Sequence, residues 1–340
     1  MPPHWIYLHD TVTFAATTDP SAYRGDGMAV TDPADLGFRC SPWTRARGVD
    51  PIGSAGTVDE LLLVEWPMPW PRDVSDIPAL AAVALDPRAR LMLVTPLADD
   101  GESDGLARVV HHRRTGTHRL PGVDHRVTRG AVPALLTELL DQPERDQLDW
   151  PSAVAAAPPE VLVCGHGRRD PCCGRWGTLL HAELAARGSA ARVWRCSHTG
   201  GHRFAPTAIT LPDGRAWAYA DADLLEGVLA RTVEVSTLDR HDRGCLALPP
   251  WAQVVERAVF QAIGWDWLQH DVTETRVEEA ADGSSAAVEL VWRDPGGATG
   301  RASATVGVAR VLPVLVCGEP PDATTKSSPE YVLLALTITR

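Results

Sequence analysis

Lysine is nearly absent from this 340-residue chain: Lys326 stands alone, and the rest of the side-chain positive charge rests on arginine. An Arg- and Ala-rich bias of this kind points to a GC-rich bacterial genome. No basic excess accompanies it. The formal net charge is −12, which argues against a nucleic-acid binder, because such proteins display a basic surface. Long apolar runs are missing as well, and none approaches the roughly 18 residues that span a bilayer. The opening MPPHWIYLHDTVTF lacks a basic segment followed by an uninterrupted apolar stretch. With no secretory signal visible, a cytoplasmic location without a membrane partner is expected. No G-x-G-x-x-G follows a predicted strand, so the chain is not expected to take electrons from a nicotinamide or flavin of its own.

Cysteine is present, but not in the pattern of a disulfide framework. The seven residues, Cys40, Cys164, Cys172, Cys173, Cys196, Cys245 and Cys317, are odd in number and unevenly spread. Clustered cysteines in a cytosolic chain point instead to metal or redox chemistry.

Residues 1–36, rich in Asp, Thr, Pro and Gly, read as a poorly ordered extension. The segment 37–142 then shows strand, helix, strand, hairpin and helix in order. Its strands are Leu61–Trp66 and Arg90–Ala98, its helices Asp76–Leu85 and Ala131–Gln142. A proline- and charge-rich linker covers 143–159. The same order recurs over 160–248: strand Glu160–Cys164, helix Cys172–Arg187 closed by Gly188, strand Ala191–Ser197, hairpin Ala208–Ala220, helix Asp221–Arg231. Residues 249–340 read as a helix, Trp251–Trp265, followed by a small antiparallel sheet. The expected class is α/β, with two related modules and a C-terminal α+β section.

The chemistry gathers in the second module. In DPCCG, Asp170 is a good N-cap and Pro171 suits the first helical position, so Cys172 and Cys173 fall in the first turn. Unsatisfied N–H groups there favour thiolate over thiol. A right-handed crossover makes strands 160–164 and 191–197 parallel, with their C-terminal ends on one edge, where open α/β sheets bind ligands. Cys164, Cys173, His198 and His202 then converge, and Gly200 and Gly201 let the backbone turn tightly between the histidines.

CGHGRRDPCCG followed by CSHTGGHRFAP resembles the sucrase/ferredoxin-like family, a branch of the thioredoxin-like ferredoxins. The resemblance implies two thioredoxin-like modules, the second holding a [2Fe–2S] cluster. By position, its C-x8-C pair is Cys164 and Cys173 and its H-x3-H pair is His198 and His202. The motifs cover about 160–207, and the layout matches from roughly Cys40 to Leu248. The implied work is one-electron transfer with an unidentified redox partner protein, rather than stand-alone enzymology. Exposed imidazole ligands would couple it to protons. Despite the family name, no pair of catalytic carboxylates for sugar hydrolysis stands out.

Plainer readings compete. Cys172 (as C-x7-C) and Cys196 are reserve ligands; Cys40, Cys245 and Cys317 read as small buried hydrophobes. His166, in a C-x-H with no following C-x-x-H, is a solvated loop residue or a donor behind the ligands. Arg168 and Arg169 read as a solvated charge run, with pairing to Asp170 or donation to a sulfide as the functional alternative. His111, His112, His118 and His125 read as surface residues. Trp176, Trp194, Phe204 and Trp217 read as core, and Trp176, Leu179, Leu180 and Leu184 as the face of a helix packed on the sheet. Two other chemistries remain: a Zn2+ site on the same Cys and His residues, without redox turnover, and thiol–disulfide exchange. The second would require the strained neighbours Cys172 and Cys173 to pair.

Overall fold

Short apolar runs bounded by Pro, Gly and Asp set the element lengths. The computed structural model describes residues 4–8, 11–15, 39–97, 105–114, 118–143, 145–318 and 323–340. In chain order the elements are β1 (His4–Leu8), β2 (Thr11–Ala15), α1 (Cys40–Ala46), β3 (Glu60–Glu65), α2 (Pro78–Ala81), β4 (Ala89–Val94), β5 (Leu106–Arg113) and β6 (Gly122–Thr128). Then come α3 (Val132–Asp141), β7 (Ala153–Ala156), β8 (Glu160–Cys164), α4 (Thr178–Arg187), β9 (Arg192–Cys196), β10 (Ala208–Leu211) and β11 (Arg215–Trp217). The chain ends with α5 (Ala222–Leu229), β12 (Asp242–Cys245), α6 (Pro250–Ile263), β13 (Asp271–Glu279), β14 (Ser285–Arg293), β15 (Thr299–Pro313) and β16 (Ser327–Thr339).

The result is a mixed α/β fold with two sheets. The larger has ten strands in the order β12-β11-β10-β8-β9-β4-β3-β5-β6-β7. Only β3/β4 and β8/β9 are parallel, as a helix-bearing crossover requires. Each half repeats one neighbour order: β6-β5-β3-β4 in the first, β11-β10-β8-β9 in the second. The halves meet where β4 pairs antiparallel with β9 at Val94 and Cys196, which makes one continuous sheet of the two expected modules.

That sheet is covered on both faces. In β3, Leu61 and Leu63 pack with Met92, Leu162 and Trp194, while Leu62 and Val64 pack with Leu135, Leu136 and Leu139 of α3. Such strands read as continuous apolar runs rather than alternating ones. The smaller sheet, β1-β2-β16-β15-β14-β13, is antiparallel throughout and packs against α6.

Several expectations change. The stretch 143–159 carries the edge strand β7, paired with β6, because its alanines offer backbone hydrogen bonds whatever their side chains do. Residues 4–8 and 11–15, inside the expected extension, form a hairpin on β16; 16–36 lie outside the described residues. The helix expected over Asp76–Leu85 shrinks to the single turn of α2. Leu179 points to solvent at 63% exposure, although Leu180 and Leu184 pack inward as expected.

The four histidines read as surface residues are all buried. With both sheet faces covered, β5 and β6 have no wet side for His111, His112 and His125, and His118, in the connection between the strands, is covered by Trp267. His112 Nε2 lies 2.5 Å from Glu160 Oε2 and its Nδ1 3.0 Å from the Leu120 carbonyl. His111 meets Glu60, His125 meets Ser152 Oγ, and His118 stacks on Trp267. Trp194, Phe204 and Trp217 are fully buried, as expected; Trp176 is only partly so. No helix among the described residues is long and apolar enough to cross a membrane.

Candidate metal centre

The site forms at the C-terminal ends of β8 and β9, whose last residues Cys164 and Cys196 face each other in register. After β8 the chain turns through 165–170 into a π-helical turn, Cys173–Gly177, that leads into α4. Glycine makes this approach possible. A Cβ on Gly177 would stand 1.8 Å from the Cys164 carbonyl oxygen, and one on Gly174 would stand 2.3 Å from Gly167 Cα. The wider turn carries Cys173 back over Cys164; π-helical insertions of this kind recur at functional sites.

Cys164 and Cys173 are fully buried and in contact. Of the pair, Cys164 is the one whose surroundings favour ionisation. The Cys173 thiol hydrogen-bonds to it, and contacts from the His198 ring and the His166 backbone N–H add to this, together outweighing burial and holding its pKa well below the usual thiol value. The Cys173 thiol is pushed up, first by that same bond and then by burial. Two thiols in contact, shifted in opposite directions, suit a pair that gives up its protons when a metal binds.

The histidine loop follows β9. Gly200 and Gly201 both have positive φ, +86° and +65°, and reverse the chain so that the His198 and His202 rings stand 6.2 Å apart between centroids. Two arginines clamp this loop from behind. Arg90 donates to the His198 and Thr199 carbonyls, and Arg243 to the Gly200 carbonyl and to Ser54. A Cβ on Gly201 would lie 2.4 Å from an Arg243 nitrogen. Burial, with Arg90 and Arg203 nearby, lowers the Arg243 pKa to about 10, which leaves it charged at neutral pH.

Asp170 is the hinge of the arrangement. Its Oδ1 accepts from the Cys172 and Cys173 N–H groups at 2.8 and 3.1 Å, the capping role expected of it. Its Oδ2 sits 3.0 Å from His202 Nδ1. That bond leaves His202 Nε2 for a metal, an arrangement in which a carboxylate orients the ligating imidazole. His198 Nδ1 is buried with no hydrogen-bond partner. Two buried cysteines in contact, an orphaned imidazole nitrogen and a carboxylate-oriented imidazole fit a metal group held by two Cys and two His.

The remaining candidates divide. His166 is buried rather than solvated: its Nε2–H donates to the Pro71 carbonyl at 2.8 Å, and its ring meets Trp70 edge-on. Arg168 is exposed. Arg169 pairs with Asp73, not with Asp170. Cys196 is fully buried, and burial followed by the Cys164 charge raises its pKa far above the ordinary thiol value, so it stays protonated. Cys245 is buried beside the His118 carbonyl, remote in role from these loops.

Cys172 is the surprise. It points away from Cys164 toward Cys40, at the start of α1, and Cys317, in the loop after β15. Its sulfur is 3.0 Å from that of Cys317, which is 3.2 Å from that of Cys40. The ligand atoms of Cys40, Asp170, Cys172 and Cys317 all lie within 4.8 Å of one another, a group able to hold a metal ion. Spacing could not reveal it, since Cys40 and Cys317 are 277 residues apart. The five cysteines outside the Cys2His2 set, three of which meet here, were the available hint. Arg90 and Arg243 were likewise missed, because nothing in their own surroundings marks them.

A cleft of about 210 Å³ opens beside this region, lined by Arg72, Arg90, His166, Arg169 and His198 among others. Among curated proteins, the chain is similar to altered inheritance of mitochondria protein 32 from Meyerozyma guilliermondii, at 36% identity over 58 residues. That stretch is 15% of this chain and 21% of the relative's length. No solved structure matches. The profile of the sucrase/ferredoxin-like family matches residues 51–244, which is more than half of the chain and contains both the cysteine and the histidine loops. The chain therefore belongs to the sucrase/ferredoxin-like family.

Proposed function

We propose that the chain is a one-electron carrier in which Cys164, Cys173, His198 and His202 hold a [2Fe–2S] cluster, in the second of two thioredoxin-like repeats. The observation that carries this reading is the meeting of two buried, touching cysteines with two imidazoles at a single sheet edge. The doubled neighbour order of the ten-stranded sheet supports the thioredoxin-like description.

When bound, such a cluster supplies reversible uptake of one electron at a potential set by its ligands and surroundings. Two neutral imidazoles in place of thiolates leave the oxidised centre less negative by two formal charges. Its potential should therefore lie above the plant-type value of roughly −400 mV. The chain's own groups tune it further. The His166 backbone N–H stabilises sulfur charge on Cys164. Arg90 and Arg243 add positive charge while fixing the histidine loop. Asp170 adds negative charge and holds the proton on His202 Nδ1.

The His202 side chain is 20% exposed, so that proton can exchange with water. Electron uptake favours the protonated imidazole and loss favours the deprotonated one; the potential should fall as pH rises. The partner would dock at the cleft beside His198, where Arg72, Arg90 and Arg169 outnumber Asp73 and would favour an acidic surface on it. In the reducing cytoplasm the thiols would remain available as ligands.

Purification without oxygen tests the reading. A red-brown protein with about two iron and two sulfide per chain is expected, and His198→Ala or His202→Ala should bleach or shift its spectrum. A colourless protein carrying zinc on these four residues would sink it.

A further inference from the structure

We propose that Cys40, Cys172 and Cys317, together with the Asp170 carboxylate, form a second metal site that binds one Zn2+. The proposal does not depend on what the Cys2His2 centre holds.

The three sulfurs come from three remote parts of the chain. Cys40 opens α1, Cys172 precedes the π-helical turn, and Cys317 lies beyond the end of β15. The sulfur contacts are 3.0 Å for Cys172 with Cys317 and 3.2 Å for Cys317 with Cys40; Cys40 Sγ lies 3.6 Å from Asp170 Oδ2. Buried free cysteines ordinarily act as small hydrophobes, their sulfurs packed against hydrocarbon. Here sulfur faces sulfur and a carboxylate that is itself 1% exposed. Thiols are weak hydrogen-bond donors, so these contacts give little reason by themselves for three segments to converge.

A cation gives that reason. Thiolates about 2.3 Å from a shared zinc stand about 3.8 Å apart in a tetrahedron. The sulfurs need to spread by less than about 1 Å to admit it. Three sulfur donors and one carboxylate in a closed, buried setting select zinc over magnesium or calcium, which prefer oxygen. The surroundings are built to close the site. Leu315, Ala205 and the partly buried Trp43 and Trp176 pack round the cysteines, and Ser41 Oγ donates to the Ala205 carbonyl at 2.6 Å to pin α1.

Asp170 joins the two centres, since the oxygen that meets Cys40 is also the one that holds His202 Nδ1. Zinc would therefore tie α1 and the 314–318 loop to the first centre and fix the carboxylate that orients His202.

Metal analysis of the full chain, purified without oxygen from zinc-supplemented cultures, tests this. One zinc per chain is expected. Cys317→Ser, at the most exposed of the three positions, should lose it while iron and sulfide stay unchanged. Cys164→Ser should lose iron and keep zinc, so the two centres fail separately. Growth with Co2+ in place of zinc should give thiolate-to-cobalt charge-transfer absorption in the wild-type chain that Cys40→Ser diminishes. A wild-type chain without zinc or cobalt bands would overturn the site. So would zinc retained in Cys317→Ser, or a native Cys172–Cys317 disulfide seen as a mass lower by two hydrogens.

Discussion

Asp170 and Arg90 both touch the histidine loop, with opposite charges, and each makes a separate prediction. Asp170 Oδ2 touches the His202 ring directly, so at the proposed cluster its negative charge would oppose arrival of an electron. Asp170→Asn keeps an oxygen to accept from the Cys172 and Cys173 N–H groups but removes that charge. Measured on zinc-free protein, the potential should rise, on the order of 50 mV for a charge interaction of about 1 kcal/mol at partly screened separation. Arg90→Gln removes a cation whose field reaches Cys164 and should lower the potential by a similar amount. Redox titration of the two variants checks the signs; shifts in the same direction would rule out this electrostatic account. At this scale the motif residues were legible in the sequence, because C-x8-C and H-x3-H are local patterns. Cys40, Cys317 and Arg90 were not, since each reaches the site only through the tertiary fold. The buried histidines were misread for a related reason. His111 and His112 sit among arginines in the chain, but two covered sheet faces leave neither side of β5 wet.

Glycine carries the corresponding argument for elements. β8, α4 and β9 follow directly from an apolar run, a capped helix closed by Gly188 and a second apolar run, so their order and parallel pairing could be read beforehand. The π-helical turn could not, since no side-chain pattern separates it from an ordinary first turn. What marks it is backbone contact at Gly177, where a Cβ would overlap the Cys164 carbonyl. Gly177→Ala must push the turn off β8 and move Cys173 from Cys164. Overpacking of this kind costs about 1–3 kcal/mol and at times more, and metal content should fall with it. Gly188 provides the control. Its φ is +68°, but nothing lies within 4 Å of its would-be Cβ. Gly188→Ala should lose only about 1 kcal/mol of helix-end stability, with full metal content. Thermal melting and metal analysis of the pair separate the two cases, and normal metal content in Gly177→Ala would refute the close-packing argument. The edge strand β7 is the element that composition concealed, because four Ala and Val residues in a proline-rich stretch carry no alternation to read.

The whole molecule is held together where the two sheets meet across α6, and that junction should fail in acid. Arg215, fully buried, pairs with Asp242 of β12 and Glu256 of α6, while Trp267 Nε1 donates to Glu256 at 2.5 Å. His118 lies flat on Trp267, with ring centroids 5.8 Å apart, and neither ring nitrogen has a hydrogen-bond partner. Burial first, and then the Arg215 charge, lowers its pKa to about 4. The unfolded chain takes up this proton near pH 6.5, whereas the folded chain refuses it until about pH 4. Between those values the unfolded state binds more protons, so stability falls as pH falls, by on the order of 3 kcal/mol across the window. His125, also lowered to about 4 by burial, adds a loss of the same sign. His118→Phe keeps the flat ring against Trp267 and deletes the titration and both unsatisfied nitrogens. At pH 7.5 it should match or exceed the wild type in denaturant unfolding, and from pH 6.5 to 4.5 it should lose distinctly less stability. Parallel pH profiles for the two proteins would show that His118 does not govern the acid sensitivity of this junction, and that the sheets part through the Arg215 network instead.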